Sequence, residues 1–294
     1  MPDATAGPRA RLDALLTAPG LLVMPCCFDA LSARLIERAG FPLTFMSGFA
    51  VSAARLGLPD TGLISFAEML DQGRNITAAV EIPVIGDADT GYGNALNVQR
   101  TVRAYAKAGF ACAMIEDQVW PKRCGHTRGK AVVERPEALA RVRAAADARD
   151  EGADILVMAR TDARATNDLD EALWRVRAFA EVGADLLFLE GPRSAEEMRA
   201  FCAATDLPCM ANLVEGGDTP LLPPAELEAI GYRIAAYPLT LLSAAMRAME
   251  TVLVEMCAGR HPHDLLMPFA DLQARVGFPA YDAAARRYAT SGQP

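Results

Sequence analysis

The sequence predicts an α/β protein built as a single (β/α)8 TIM-type barrel. Eight short apolar runs of four to seven residues recur along the 294-residue chain. They are nearly unbroken and rich in branched side chains, which is typical of parallel strands buried on both faces. Helical patterns lie between the runs, and several end at a glycine, the usual helix stop. Eight such alternations without a linker favour a closed barrel.

The predicted strands follow from these runs. In chain order they are Leu21–Pro25, Leu43–Ser47, Val84–Ala88, Cys112–Asp117, Ile155–Thr161, Leu186–Glu190, Cys209–Leu213 and Ile234–Tyr237. An open, doubly wound sheet is the alternative architecture for such a pattern. Its phosphate-binding fingerprint is incomplete here, because Gly91 and Gly93 would need a third glycine at Leu96.

Helical patterns separate and follow the strands. Those between strands are Ala30–Ala39, Val98–Ala108, Arg135–Arg149, Leu169–Val182 and Ala195–Ala203. Two more, Leu241–Cys257 and Leu265–Tyr288, follow the eighth strand and exceed what barrel closure needs. We therefore predict one domain over residues 1–294, with a barrel core at about 21–258 and a C-terminal helical extension at 259–294 that caps the barrel or packs on a partner subunit.

Composition excludes several classes of protein. With 52% hydrophobic and 22% charged residues the chain is globular, and its net charge of −8 argues against a nucleic-acid partner. No apolar run reaches the ~18 residues of a membrane span, and the first twenty residues lack the apolar core of a secretion signal. The seven cysteines are odd in number and form no C-x-x-C pair, so we expect free thiols in the cytoplasm.

A polar side chain follows almost every predicted strand. The series is Ser47, Asp87 and Asp89, Glu116 and Asp117, Arg160 and Asp162, Glu190, Asn212 and Tyr237. In a barrel, chemistry takes place at the C-terminal ends of the strands. Any one of these residues alone would be explained as a loop start or a helix cap, but the ring as a whole predicts an active site.

Asp87, Asp89 and Glu116 are the candidate metal-binding residues. Residues i and i+2 of a strand face the same side, so both aspartates are expected to point into one cavity, where Glu116 joins them. Carboxylates without a nearby His or Cys suit Mg²⁺, with Mn²⁺ as the alternative ion, often through retained waters. The competing interpretation is a turn rich in Asp and Gly that satisfies its own backbone.

Arg160 is the candidate carboxylate clamp. It ends an otherwise apolar strand, where a guanidinium needs an acidic partner. Glu190 would make a structural ion pair, whereas a substrate carboxylate would be held in bidentate fashion. The residues themselves leave both alternatives open.

A cationic loop runs from Trp120 to Lys130 and holds five basic groups, counting His126. Above a carboxylate-lined site, such a loop predicts a lid that closes on an anionic substrate. Lys122, Arg123 and His126 would stabilise the thiolate of Cys124, which makes this cysteine a candidate acid or base. A flexible basic loop with an incidental cysteine is the alternative.

Several motifs resemble the isocitrate lyase/phosphoenolpyruvate mutase superfamily. They are FMSGFAVSAARLGLPDTG, GDADTGYGNALNVQRTV, EDQVWPKRCGHTRGKAVV, ARTDAR and ANLVEGGDTP, in matching order from about Leu21 to Leu242. The K-R-C-G-H loop is the most specific. Within the superfamily the chain looks most like the branch of 2,3-dimethylmalate lyase, petal death protein and carboxyphosphonoenolpyruvate mutase. The resemblance implies a Mg²⁺-dependent barrel, usually a homotetramer (a dimer of dimers), with the eighth helix exchanged between subunits.

The resemblance also implies roles for residues that match the shared motifs. The metal and its water shell correspond to Asp60, Asp87, Asp89 and Glu116. The substrate-binding set, with a backbone cradle at its first three members, is Ser47, Gly48, Phe49, Arg123, Gly125, Arg160 and Asn212. The catalytic set is Lys122, Cys124, His126, Arg160 and Glu190.

The reaction implied by the resemblance is a reverse aldol-type cleavage of a 2-hydroxydicarboxylate. The C2–C3 bond breaks to give pyruvate or glyoxylate and a second carboxylate, whose carbanion Cys124 protonates. Magnesium and Arg160 act where negative charge develops. The implied partner is a small di- or tricarboxylate or a 2-oxo acid.

Two departures from the superfamily pattern bear on the substrate. Isocitrate and methylisocitrate lyases carry a Tyr where this chain has Phe45, and an Arg where it reads Leu241-Leu242-Ser243. Without that Arg a third substrate carboxylate would be left unpaired, so a dicarboxylate such as an alkylmalate fits better than a tricarboxylate. The base that takes the C2 hydroxyl proton stays open between Glu190 and a water of the metal shell.

Three alternatives to this lyase remain at the level of sequence. The first is a carboxyphosphonoenolpyruvate phosphonomutase, which shares the K-R-C-G-H loop. The second is an oxaloacetate hydrolase or decarboxylase, although the Cys124 loop disfavours decarboxylases. The third is a non-catalytic barrel, which the retained carboxylates and loop thiol argue against.

Overall fold

Eight parallel strands close into a barrel in sequence order. The computed structural model describes residues 6–125 and 129–288. Each strand pairs with the next along the chain, and the eighth pairs with the first. The strands are β1 (Leu22–Cys27), β2 (Thr44–Met46), β3 (Val84–Asp87), β4 (Cys112–Glu116), β5 (Leu156–Thr161), β6 (Leu186–Leu189), β7 (Cys209–Asn212) and β8 (Ile234–Tyr237). The predicted fold class is confirmed, and each predicted strand end lies within two residues of the observed one.

Helices surround the strands and follow the last one. They are α1 (Pro8–Thr17), α2 (Ala30–Arg38), α3 (Gly48–Leu56), α4 (Phe66–Thr77), α5 (Ala95–Lys107), α6 (Arg135–Asp150), α7 (Ala163–Thr166), α8 (Leu169–Glu181), α9 (Ala195–Cys202), α10 (Pro224–Ile230), α11 (Thr240–Cys257), α12 (Phe269–Val276) and α13 (Phe278–Tyr288). The five predicted helices between strands are all present. The structure also contains short helices that were not predicted, such as α3. Only one residue separates α3 from the end of β2, so no loop sequence marks the boundary between them.

The interior of the barrel is a packed apolar core. Buried side chains from all eight strands meet in one cluster, and successive members of a strand, such as Met24 and Cys26, lie two residues apart. Leu12 of α1 belongs to the same cluster and is fully buried. The Arg233 side chain, just before β8, donates to the Leu16 carbonyl at 3.0 Å. Helix α1 therefore closes the N-terminal end of the barrel and leaves the C-terminal end for chemistry.

Tyr105 fixes the end of β3 from the helix side. Its ring stacks on Phe110 with centroids 4.6 Å apart, and its hydroxyl donates to the Asp87 carbonyl at 2.8 Å. A Cβ added at Gly86 would lie 2.7 Å from the Tyr105 ring, and one at Gly73 would lie 2.3 Å from Phe110. The packing leaves no room for a side chain at either glycine, so the position of the Asp87 backbone is set by close contact.

The chain divides into two compact units, one ending at Leu242 and one beginning at Ser243. In the second unit the predicted helical pattern Leu265–Tyr288 is interrupted. A short 3₁₀ turn (His263–Leu265) comes first, and α12 ends at Gly277, whose left-handed φ of 99° stops the helix before α13 begins. The single-domain organisation predicted over residues 1–294 stays a prediction.

Large apolar side chains are exposed on the helices of the second unit. They include Met249, Leu253, Val254, Phe269 and Tyr281, and Phe269 retains 71% of its accessible surface. Isolated exposed apolar residues are ordinary, but a series along consecutive helices is typical of an interface. In the part of the chain that the structure describes, no helix has the length and apolar character needed to cross a bilayer.

We expect Tyr105→Phe to lower the free energy of unfolding by roughly 1–3 kcal/mol, because it orphans the buried Asp87 carbonyl. Urea denaturation of the purified protein measures this change. The matched control is Tyr281→Phe, whose side chain is 73% exposed and whose hydroxyl loss should leave stability unchanged. Equal stability of Tyr105→Phe and the wild type would show that the hydroxyl does not hold β3.

Candidate active site

One cavity at the C-terminal ends of the strands gathers most of the predicted site residues. Its predicted members are Ser47, Phe49, Asp60, Asp87, Lys122, Arg123, Cys124, Gly125, Arg160, Glu190 and Asn212. Gly48, Asp89 and Glu116 do not line the cavity but contact residues that do. His126, which the sequence places in the catalytic set, lies outside the described residues.

The start of α3 forms one wall of this cavity. Ser47 caps the helix, because its hydroxyl accepts from the Ala50 N–H at 3.3 Å. The Gly48 N–H donates to Asp87 Oδ2 at 3.1 Å, and a Cβ at Gly48 would lie only 2.5 Å from that oxygen. The helix N-terminus therefore faces a carboxylate of the protein itself. Its predicted role as a cradle for a substrate carboxylate stays a prediction.

Lys122 lies inside a cluster of carboxylates. Its ammonium is 2.6 Å from Asp60 Oδ1 and 2.7 Å from Asp89 Oδ1, with all three side chains buried. Burial by itself lowers the pKa of Lys122, but Asp89 and Asp60 outweigh it and raise that pKa well above its usual value. Burial and the neighbouring charge of Asp89 raise the pKa of Asp87 to about 6. Negative charge thus exceeds positive charge at this end of the cavity.

The excess of carboxylate oxygens fits a hard divalent cation. Asp89 Oδ2 and Glu116 Oε1 are buried and have no hydrogen-bond partner among the described residues. Burial raises the pKa of Glu116 well above its usual value, although Arg160 opposes this. No three His, Cys, Asp or Glu side chains within residues 6–125 and 129–288 are grouped to bind one metal ion directly. A cation that keeps several waters, as Mg²⁺ does, matches this donor set.

The strand alternation that was expected to align Asp87 with Asp89 ends before Asp89. β3 ends at Asp87, and Asp89 has a left-handed φ of 49°, so the alternation of a strand does not extend to it. Its N–H instead donates to Asp87 Oδ1 at 3.0 Å, and its carboxylate contacts Lys122. Asp87 alone of this pair lines the cavity.

Arg160 is held by three carboxylates. Nε is 2.8 Å from Asp162 Oδ2 and 3.4 Å from Glu116 Oε2, and one terminal nitrogen (NH2) is 3.1 Å from Glu190 Oε2. Burial lowers the pKa of Arg160, but Asp162, Glu190 and Glu116 raise it well above its usual value. The ion pair with Glu190, one of the two alternatives for Arg160, is therefore present, and Asn212 donates to the same carboxylate at 3.2 Å.

Asp162 is a site residue to which the sequence analysis gave no role. Burial raises its pKa, but Arg160 and Lys130 outweigh this effect and lower the pKa to about 2. Its N–H donates to Asp117 Oδ1 at 3.0 Å. The signal for its contact with Arg160 was the spacing R-T-D, which places an acid directly after β5 and two residues from the arginine.

The loop that carries Cys124 reaches into the cavity; we call residues 118–133 the Cys124 loop. Cys124 is half-buried, lines the cavity and belongs to no disulfide. A Cβ added at Gly125 would lie 2.2 Å from Glu190 Oε2 and 2.6 Å from NH2 of Arg160. Only a glycine allows the backbone beside Cys124 to approach the Arg160–Glu190 pair this closely.

Fold and site together define a class of protein. The chain belongs to the phosphoenolpyruvate phosphomutase family, whose profile matches residues 12–257. The superfamily predicted from the motifs is thereby confirmed.

Three similar proteins have functional names. A 2,3-dimethylmalate lyase of Eubacterium barkeri is 42% identical over 284 residues, covering 96% of this chain and 98% of that protein. The structure of an oxaloacetate acetylhydrolase in complex with the inhibitor 3,3-difluorooxalacetate superposes with a TM-score of 0.91 at 35% identity, covering 97% of this chain and 98% of that one. A phosphonopyruvate hydrolase complex with oxalate and Mg²⁺ has a TM-score of 0.85 at 28% identity, covering 96% and 99%.

The raised pKa of Asp87 makes a prediction for the metal-free protein. A carboxyl with a native pKa of about 6 against a usual 3.8 costs stability as pH rises through that interval. We therefore expect the stability of Asp87→Asn relative to the wild type to rise by roughly 1–3 kcal/mol from about pH 4 to about pH 8. Chemical denaturation in EDTA measures it, with the exposed Asp206→Asn as control. If the stability difference between Asp87→Asn and the wild type does not vary with pH, the excess of negative charge around Asp87 is contradicted.

Proposed function

We propose that this protein is a Mg²⁺-dependent carbon–carbon lyase that cleaves a 2-hydroxydicarboxylate of the alkylmalate class into pyruvate or glyoxylate and a second carboxylate. The observation that carries the proposal is that Asp87, Arg160 and the Cys124 thiol line one cavity. Cleavage of this kind needs a site for the polarised oxygen, a clamp for a carboxylate and a proton donor. The names of the similar proteins, a lyase among them, agree with it.

Magnesium would be held by Asp87 together with Asp60, Asp89 and Glu116, largely through water. Mn²⁺ is the alternative ion. The buried, unpartnered oxygens of Asp89 and Glu116 support this assignment, and so does the Mg²⁺ in the similar phosphonopyruvate hydrolase complex. When bound, the ion would supply positive charge that stabilises negative charge developing at the C2 oxygen of the substrate.

Arg160 and the start of α3 would orient the two carboxylates of the substrate. The guanidinium of Arg160 is fixed from two sides by Asp162 and Glu190, so little reorganisation is needed when a substrate arrives. The helix start would offer the backbone N–H groups of Gly48 and Phe49 to the second carboxylate if Asp87 turned toward the cation, whereas the Ser47 N–H donates to the Cys27 carbonyl at 3.1 Å. Arg123 also lines the cavity and adds positive charge.

Cys124 would complete the reaction as the proton donor. The C2 hydroxyl loses its proton, the C2–C3 bond breaks, and C2 becomes the ketone of the oxo acid. The electron pair left on C3 takes the proton of the Cys124 Sγ–H, and the thiolate regains a proton from the group that received the first one. Glu190 lines the same cavity and is the candidate for that group. Lys122 and His126 are proposed as further catalytic groups.

The lining of the cavity favours a dicarboxylate with an alkyl substituent. The described cations that line it are Lys122, Arg123 and Arg160, and Lys122 is already paired with Asp60 and Asp89. Arg160 is likewise paired with carboxylates of the protein, so the cavity has little positive charge left for a third substrate carboxylate beyond those assigned to Arg160 and the start of α3. The remaining wall is largely apolar and includes Phe45, Met114, Phe188, Met210, Val214, Pro238 and Leu239. A third carboxylate against this wall would be desolvated without a partner.

We expect purified protein with Mg²⁺ to convert 2,3-dimethylmalate into pyruvate and propionate in a proton NMR time course that also contains 2-methylisocitrate and oxaloacetate. Cys124→Ser should lower turnover by roughly 10²- to 10⁴-fold, because the proton donor is lost. Cys257→Ser is the matched control, since Cys257 is exposed and far from the motif, and it should retain wild-type turnover.

Each other outcome of this time course points to a different reaction. Loss of 2-methylisocitrate instead would refute the argument from the missing Arg at Leu241-Leu242-Ser243. Turnover of oxaloacetate alone would favour the second candidate, an oxaloacetate hydrolase or decarboxylase, which the similarity to an oxaloacetate acetylhydrolase structure supports. Absence of any reaction would contradict the lyase and leave the phosphonomutase, whose substrate would then be tested.

The proposal includes a homotetramer, a dimer of dimers, in the cytoplasm, with neither a nucleic-acid nor a membrane partner. The exposed apolar residues on α11, α12 and α13 support a protein interface, with the eighth-helix exchange as its form. Seven cysteines without a disulfide agree with a reducing compartment. Light scattering should give a mass about four times the 31.4 kDa of one chain. A mass of 31.4 kDa would contradict the exchange.

A further inference from the structure

Two buried side chains outside the predicted substrate and metal sets hold the Cys124 loop from opposite sides. Gln118 contacts the residue before Cys124, and Lys130 contacts the residue after it. The two ends of the loop are themselves joined, because Gln118 and Val132 form an antiparallel bridge. The backbone that carries Gln118 is therefore held by this bridge, and the bridge lies two residues from Lys130.

Gln118 clamps one peptide unit of the loop. Its Nε2 donates to the Arg123 carbonyl at 2.9 Å, and its Oε1 accepts from the Arg123 N–H at 2.9 Å. The residue is 1% exposed. The side-chain amide thus pairs with the backbone of Arg123 as a neighbouring strand would, and it satisfies both backbone groups of the residue that precedes Cys124.

Lys130 links the other side of Cys124 to the Arg160 cluster. Its ammonium donates to the Gly125 carbonyl and lies 2.8 Å from Asp162 Oδ1. The side chain of Lys130 is 4% exposed, and that of Asp162 is fully buried. Asp162 already receives two hydrogen bonds from Arg160, at 2.8 and 3.1 Å.

Lys130 does more than neutralise Asp162, because its ammonium also donates to the uncharged carbonyl of Gly125. Because one ammonium joins Gly125 to Asp162, a movement of the Cys124 backbone is coupled to the carboxylate that orients Arg160.

We propose that Gln118 and Lys130 are positioning residues that hold the peptide units on both sides of Cys124, so that the thiol stays aimed into the cavity in register with Arg160. Neither residue is among those that line the cavity. The inference rests on the proposed role of Cys124 as proton donor. A proton donor must lie within hydrogen-bond reach of its carbon, so a loosened loop would slow protonation more than it weakens binding.

Lys130→Met and Gln118→Leu test the proposal, and Lys107→Met is the matched control because Lys107 is exposed. The readout is alkylation of Cys124 by iodoacetamide at the alkaline plateau of the pH–rate profile, followed by peptide mass spectrometry. The plateau reports access to the thiol rather than its ionisation. We expect roughly tenfold faster alkylation of Cys124 in both variants, because buried charge-assisted and paired hydrogen bonds are lost. The exposed Cys257 of the same molecules should react at the wild-type rate.

The kinetic constants are a second measurement, because a purely structural role would not lower kcat without also changing KM. Lys130→Met should lower kcat by roughly tenfold or more while KM changes by less than about threefold. Lys130→Arg, which keeps donors for both Gly125 and Asp162, should restore most of the wild-type alkylation rate at Cys124.

Two results would overturn the proposal. The first is a wild-type alkylation rate at Cys124 in both variants. The second is a parallel rise at Cys124 and at the buried Cys27 with a lowered unfolding midpoint, which would indicate general loosening. Alkylation needs no turnover, so the positioning role is decided even if the wild type cleaves none of the tested acids. A wild type that cleaves none of the tested acids would contradict only the proposed lyase activity.

Discussion

The buried ion cluster around Arg160 is the interaction on which the rest of the site depends. A guanidinium and its carboxylates are almost free of solvent here, and each ion would be costly to bury without the others. Asp162 turns Arg160 toward the cavity, while Glu190 and Glu116 limit where it can move. The Gly125 backbone packs against this cluster at a distance that excludes any side chain. The position of the Cys124 thiol is therefore tied to an electrostatic arrangement on β5 and β6.

The barrel supports this arrangement because its packed core fixes the strands that carry or precede the charged residues. The interior core immobilises all eight strands, and Tyr105 holds the last residue of β3 through its backbone carbonyl. At the other side of the cavity, burial and then the neighbouring charge of Asp89 raise the pKa of Asp87, so repulsion between carboxylates adds to the cost of their burial. Lys122 offsets part of that repulsion, and a hydrated divalent cation would offset more of it.

A cavity of this design is compatible with several reactions, because its charged half, as proposed, would recognise an oxo acid and a metal ion rather than one substrate. The relatives carry the names of a lyase and of hydrolases, and the family carries that of a mutase. The difference between such reactions has to reside in the apolar wall, in the Cys124 loop and in the groups that move protons. In this chain the wall has few charges, and Cys124 lines the same cavity as Arg160 and Glu190.

The sequence by itself determined the barrel, its eight strands and most of the residues around the cavity. Strands buried on both faces leave a local pattern of apolar runs, and the residues after them fall on one rim by topology alone. Only the tertiary structure decided that Asp89 pairs with Lys122, that Glu116 and Glu190 also hold Arg160, and that Gln118 and Lys130 hold the Cys124 loop. Apart from the contacts within the Cys124 loop, these contacts join segments distant in the chain, and the contact of Asp89 also depends on its left-handed backbone. None of them has a signature in local periodicity.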